Sequence, residues 1–156
     1  VYRGRVVTLH VDDNHWEIVE HKPAVAILAT RGDEMLMVQQ RRPAVNAMTL
    51  EIPAGLIEPG EDVLEAAARE FAEECGLGGT LTHITSMYTS PGFSDEVVHL
   101  VRAVNLHEAH GTPDADEDIT VTYIHPKALV EGARDGSILT SAPAIAAAYL
   151  LLLEGA

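Results

Sequence analysis

The stretch Gly55-Leu56-Ile57-Glu58-Pro59-Gly60-Glu61-Asp62-Val63-Leu64-Glu65-Ala66-Ala67-Ala68-Arg69-Glu70-Phe71-Ala72-Glu73-Glu74-Cys75-Gly76-Leu77 decides how this chain folds. Its centre sets Glu70, Glu73 and Glu74 within about one helical turn, where residues three and four apart share a face. Like charges at that spacing repel by roughly 0.2–0.5 kcal/mol per pair. A cation among them offsets that cost, and hard divalent ions take carboxylate oxygens and substrate phosphates together. The first reading is therefore a metal-assisted enzyme acting on a phosphorylated small molecule.

Both ends of the helix are marked. Pro59-Gly60 breaks the preceding chain, Asp62 is an N-cap with Glu65 completing a capping box, and Gly76 is placed to be the left-handed residue that stops it. Leu64, Ala67, Ala68, Phe71 and Cys75 recur at three- and four-residue spacing and form the expected apolar stripe. At about 100° per residue, Glu70, Glu73 and Glu74 project away from that stripe toward a cleft. On spacing alone, a solvated acidic face is the simpler alternative.

The fixed positions Gly55, Glu61, Arg69-Glu70, Phe71, Glu73-Glu74, Gly76 and Leu77 resemble the Nudix box at every defined position. That resemblance implies a loop–helix–loop that holds Mg²⁺ or Mn²⁺ and a hydrolase of nucleoside diphosphates linked to another moiety. Cys75 and Phe71 stand where many members carry Thr and Leu, and neither is a ligand position. Three segments are similar to the ADP-ribose pyrophosphatase branch: Gln39-Gln40-Arg41-Arg42-Pro43, Leu50-Glu51-Ile52-Pro53-Ala54-Gly55, and Ser90-Pro91-Gly92-Phe93-Ser94-Asp95-Glu96. Pro91 falls where that branch has a marker proline. The resemblance implies cleavage of ADP-ribose by water to AMP and ribose 5-phosphate.

The chain has 156 residues, of which 47% are apolar, and a net charge of −14. Its length is that of one domain, residues 1–156, able to bury a core. The charge argues against nucleic acid or an anionic membrane as partner. It also means that metal ions and local arginines must offset the field around an anionic substrate. One cysteine excludes an internal disulfide. No signal peptide is evident, and the run Ala144 to Leu153 is too short to span a bilayer. The expected location is cytoplasmic. Because the chain opens on Val, a few native residues are expected to be missing.

Outside the box, strands are expected at Val7–Val11, Trp16–His21, Ala24–Thr30, Met35–Gln40, Thr49–Ile52, Leu81–Tyr88, Val97–Val104 and Ile119–Ile124. Asn105 to Asp118 reads as a long polar loop. Pro126 to Ala133 is a short helix with Pro at its first position, and Thr140 or Ser141 caps a last helix. These elements predict an α/β fold, a mixed sheet with helices on both faces and antiparallel strands at the N-terminus. The α/β/α sandwich that the Nudix resemblance implies agrees with this.

Pyrophosphate hydrolysis needs an activated water, charge neutralisation and alignment of nucleophile with leaving group. Glu70 and Glu74 are the expected metal ligands, with Glu73 as a further ligand or holder of a bound water. The resemblance adds the Ala54 carbonyl and Glu117, the latter as base in the acidic loop Asp114-Ala115-Asp116-Glu117-Asp118. Glu96 is the runner-up for the base. Arg69 is read as orienting a carboxylate such as Glu61. Arg42 is the candidate for the diphosphate, Glu51 for a ribose hydroxyl, and Gly92 and Glu96 for close approach to the terminal ribose. The eight scattered histidines suggest no zinc site.

The branch resembled also implies a homodimer in which residues 1–22 help to form the base pocket, with Trp16 as aromatic surface and Glu17 as a base contact. Two rival readings stay open. One is a hydrolase of another nucleoside-diphosphate sugar. The other is a domain that senses such ligands without cleaving them, which the intact Glu70, Glu73 and Glu74 count against.

Overall fold

The computed structural model describes residues 1–112 and 118–155. In chain order its elements are β1 (Tyr2–Arg3), β2 (Val7–Val11), β3 (Glu17–His21), β4 (Ala24–Arg31), β5 (Glu34–Arg42), β6 (Ala47–Glu51), β7 (Ala54–Leu56), α1 (Val63–Cys75), β8 (Leu77–Tyr88), β9 (Val97–Glu108), β10 (Thr120–Ile124), α2 (Pro126–Asp135) and α3 (Ala142–Glu154).

β4 organises the core. Its unbroken apolar run is buried from Ala24 to Ala29, as a strand covered on both faces requires. Ala24, Ala26 and Leu28 pack with Leu129 of α2 and Ala144, Ala147, Ala148 and Leu151 of α3. Val25, Ile27 and Ala29 pack with Ala66, Ala67 and Phe71 of α1. The layers are therefore helix, sheet, helix. The sheet is seven-stranded along β10-β5-β4-β9-β8, with β6 on β5 and β7 on β4. It is mixed, because β4 and β9 run parallel while the other pairs are antiparallel. A separate antiparallel sheet, β1-β2-β3, forms the N-terminus.

A fork between β4 and β5 positions the site. The two strands pair only beside their turn, at Thr30↔Met35 and Arg31↔Glu34. Gly32 makes that turn possible with φ 62°. Beyond it the strands part. β6 stays on β5, β7 crosses to β4, and the Ile27 N–H donates to the Pro53 carbonyl at 2.8 Å. The chain thus crosses the fork at Ile52-Pro53 and leaves Glu51 and Ala54 on either side of it.

Several boundaries differ from the sequence expectation. Ala54–Leu56 is a strand, and so is Tyr2–Arg3. Trp16 belongs to the turn before β3, closed by the Asp12 carboxylate accepting from the Asn14 and Trp16 amides. β8 and β9 continue to the pairs Leu77↔Glu108 and Gly78↔His107, so residues 105–108 are strand rather than loop. In the outer stretch of β9, Leu106 packs against the core among polar neighbours, too sparse an apolar pattern to betray a strand.

Candidate active site

α1 keeps both predicted caps. Asp62 accepts from the Leu64 amide at 2.8 Å, Glu65 accepts from the Asp62 amide at 3.1 Å, and Gly76 is left-handed at φ 65°. Its buried face differs from the expected stripe. Ala66, Ala67 and Phe71 are buried, whereas Leu64 and Ala68 are exposed. On a helical wheel, Glu70 and Glu74 lie on the same bearing as that buried face. They are therefore turned toward the sheet, over β7, rather than away from the core.

Gly55 explains how a carboxylate fits there. A Cβ at Gly55 would overlap the Glu70 carboxyl group, so only glycine lets β7 lie under Glu70. Glu74 accepts the Ala54 amide at 3.1 Å, which ties the helix to the strand end that the fork delivers.

Arg69 is the cation of this loop–helix–loop. Its Nε and Nη2 donate to Glu61 at 2.8 and 2.9 Å, Nη1 to Glu70 at 2.7 Å and Glu73 at 3.1 Å, and Nη2 to the Leu56 carbonyl at 2.9 Å. A guanidinium has five N–H donors, and all five are engaged. Arg69 is thus a positioning residue, with no donor left for a substrate. The Glu61 pairing raises the Arg69 pKa, and Arg69 in turn holds the Glu61 carboxyl below its usual value.

A cleft of 1130 Å³ runs along this face. Of the residues singled out in sequence, it gathers Arg42, Glu51, Ala54, Arg69, Glu70, Glu73 and Glu96. Arg42 and Glu51 meet each other, with Nε to Oε1 at 2.8 Å and Nη2 to Oε2 at 3.0 Å. Thr49 adds a hydroxyl bond to Glu51 at 2.6 Å. Burial pushes the Glu51 carboxyl up, but the bonds from Arg42 and Thr49 and the Arg42 charge outweigh it and leave it lowered. Glu96 accepts from the Thr89 hydroxyl and lies 3.4 Å from His21 Nδ1.

Trp16, Glu17, Gly92 and Glu74 are not among the residues lining this chain's cleft. Trp16 is 64% exposed, Glu17 opens β3, and a Cβ at Gly92 would meet open space. Glu117 lies outside the described residues. Sequence reasoning missed Arg5, His21, Lys22, Glu58, Thr89 and Ser141, all of which line the cleft. Glu58 lies within the box loop but at a position its motif leaves free; the others come from loops and strand ends distant in sequence, and no spacing pattern links them to the box.

The oxygen donors around α1 suit a hard cation. Cys75 does not compete, because burial, followed by the Glu74 charge, pushes its thiol up to about 12. Among the described residues, no three acids or histidines stand preassembled as a metal cluster. Glu70 and Glu73 are drawn to Arg69, and Glu74 to the Ala54 amide.

A carboxylate-bearing loop–helix–loop against a forked mixed sheet defines a class, and matches to known proteins agree with it. Residues 20–141 match the profile described as NUDIX domain. The chain belongs to the Nudix family. Hydrolases of this family generally use divalent metal ions. An ADP-ribose pyrophosphatase of Bacillus subtilis (strain 168) is 40% identical over 128 residues, covering 76% of this chain and 69% of that protein. A methanol dehydrogenase activator of Bacillus methanolicus is 38% identical over 167 residues, covering 99% of this chain and 90% of that one. A solved structure titled as an ADP compounds hydrolase superposes with a TM-score of 0.78 at 24% identity, over 99% of this chain and 88% of that one, a likeness of fold.

Proposed function

We propose that this chain hydrolyses the pyrophosphate of ADP-ribose to AMP and ribose 5-phosphate, with Mg²⁺ or Mn²⁺ as cofactor. The observation that carries the reading is the placement of Glu70 and Glu73 in one cleft with the Arg42–Glu51 pair. Similarity to a protein named as an ADP-ribose pyrophosphatase supports the substrate.

Glu70, Glu73, Glu74 and the Ala54 carbonyl are the proposed metal donors. The bound ion supplies charge neutralisation at the phosphoryl oxygens and an activated water. Arg69 keeps Glu70 and Glu73 oriented by bonds to Glu70 Oε1 and Glu73 Oε2. Arg42, splinted by Glu51, is the proposed diphosphate contact, and Glu51 serves first as its anchor.

Glu117 is the proposed base. One feature supports it: a Cβ on Gly111 would overlap the Ala72 and Glu73 backbone. The chain is therefore pressed against the carboxylate helix six residues before Glu117. Glu96, held by Thr89 beside His21, is the alternative.

The test is AMP release from ADP-ribose with Mg²⁺, beside GDP-mannose and an EDTA control. Metal-dependent cleavage of ADP-ribose is expected. Cleavage of GDP-mannose alone keeps the chemistry and moves the substrate. Tight binding of ADP-ribose without cleavage of either favours a sensor. The similarity to a dehydrogenase activator favours a second reading, action on a partner enzyme. Stimulation of a methanol dehydrogenase by a variant with no hydrolytic activity would establish that reading separately.

A further inference from the structure

Among the described residues that line the cleft, four are cations, and one of them pairs with no carboxylate. Five carboxylates line it, Glu51, Glu58, Glu70, Glu73 and Glu96, against the cations Arg5, Lys22, Arg42 and Arg69. Arg69 spends every donor on protein acceptors. Arg42 is held in a fork by Glu51, and Lys22 lies 3.5 Å from Glu58.

Arg5 differs. It sits at the exposed tip between β1 and β2, a turn closed by the Gly4 amide donating to the Val7 carbonyl at 2.8 Å. Its side chain forms no hydrogen bond or ion pair among the described residues. Yet it lines the cleft, because the N-terminal sheet is clamped to the far wall. The Val19 amide donates to the Phe93 carbonyl at 2.7 Å, and the His21 amide to Asp95 Oδ1 at 2.7 Å.

A nucleoside diphosphate entering here brings negative charge into an acidic site of a chain whose net charge is −14. A guanidinium with free donors in a fork matches phosphate oxygens. We infer that Arg5 is a substrate-binding residue that contacts the diphosphate from the hairpin tip, opposite the carboxylates of α1. The inference rests on the substrate reading above and adds a specificity contact to it. It assigns the N-terminal hairpin a role in the cleft of its own chain.

The test compares wild type, Arg5→Ala, Arg5→Lys and the control Arg3→Ala on ADP-ribose with Mg²⁺, over a range of added salt. Arg3 stands on β1 beside the same hairpin and does not line the cleft. For Arg5→Ala, KM should rise about tenfold, the size of one charge-assisted contact, with kcat within about twofold of wild type. Arg5→Lys should recover part of the loss. Added salt should raise KM less steeply in Arg5→Ala than in wild type. Arg3→Ala should match wild type, and the melting temperatures of all four should agree, as expected for exposed positions.

An unchanged KM in Arg5→Ala, or an equal loss in Arg3→Ala, overturns the assignment and leaves the substrate reading standing. If wild type itself neither binds nor cleaves ADP-ribose, the substrate reading fails and this inference fails with it.

Discussion

Glu74 shows how one carboxylate is committed twice. It accepts the Ala54 amide at 3.1 Å and belongs to the proposed metal set. Glutamine retains a carbonyl oxygen for the amide and loses the charge. Glu74→Gln should therefore keep the fold, with an unchanged far-ultraviolet circular dichroism spectrum, while kcat with Mg²⁺ falls by orders of magnitude. Full activity in this variant would remove Glu74 from the metal set. Glu51 gives a different signature, one of stability. Its carboxyl is lowered in the folded state, so it stabilises the fold above its unfolded value of about 4.3 and loses that contribution as pH falls through the folded value. The stability gap between wild type and Glu51→Gln, read by urea denaturation, should be widest near neutrality. It should close as pH falls below about 4. A gap that is constant with pH would mean the Arg42–Glu51 pair does not hold in solution.

At the level of elements, α1 was legible at its ends and misread at its sides. Its caps are local: Asp62, Glu65 and Gly76 fix them within a few residues. Its buried face is set by what lies beneath. Alanines occupy both sides of the helix, so spacing pointed to Ala67–Ala68 where the fold buries Ala66–Ala67. The choice is made by β7, whose Gly55 leaves room for Glu70. The cleft residues Arg42, Glu51 and Glu96 were legible through motif resemblance. Arg5 and His21 were not, because bonds from β3 to Phe93 and Asp95 bring the N-terminal sheet to the cleft and only tertiary structure records them. The outer ends of β8 and β9 were hidden for a related reason. His107 lies over Gly78, a pairing that polar composition conceals. Gly111 yields a prediction at this scale. Any side chain there must lift the chain off the Ala72–Glu73 backbone, and helix backbone yields little. Gly111→Ala should cost about 1–3 kcal/mol, as overpacking does, with a lowered melting temperature and reduced kcat. An unchanged melting temperature would show that the close approach is not kept.

For the molecule as a whole, the open question of assembly concerns the N-terminal sheet. Three strands hold together only when one face is covered. β1 and β2 register Tyr2 against Leu9, and β2 and β3 register Leu9 against Val19 and Val11 against Glu17. On that surface Tyr2 is 61%, Leu9 41% and Val11 53% exposed, with Trp16 at the neighbouring turn 64% exposed. Scattered apolar residues on a surface are ordinary, but a contiguous group on one small sheet marks an interaction site. We propose that its occupant is a second copy of the chain. A net charge of −14 otherwise keeps copies apart, so the contact must rest on apolar side chains, which Tyr2, Leu9 and Val11 supply. Size-exclusion chromatography with light scattering should give twice the 16.8 kDa chain mass at micromolar concentration. The double variant Leu9→Glu, Val11→Glu should run as a monomer, since buried like charges across a symmetric contact repel. Because Arg5 reaches the cleft of its own chain, the monomer should retain measurable hydrolysis. A monomer with no activity at all would instead show that the partner copy completes the site, which is the arrangement in which Trp16 and Glu17 act as base contacts. A wild type that is monomeric at every concentration would leave the exposed strip without the partner assigned to it.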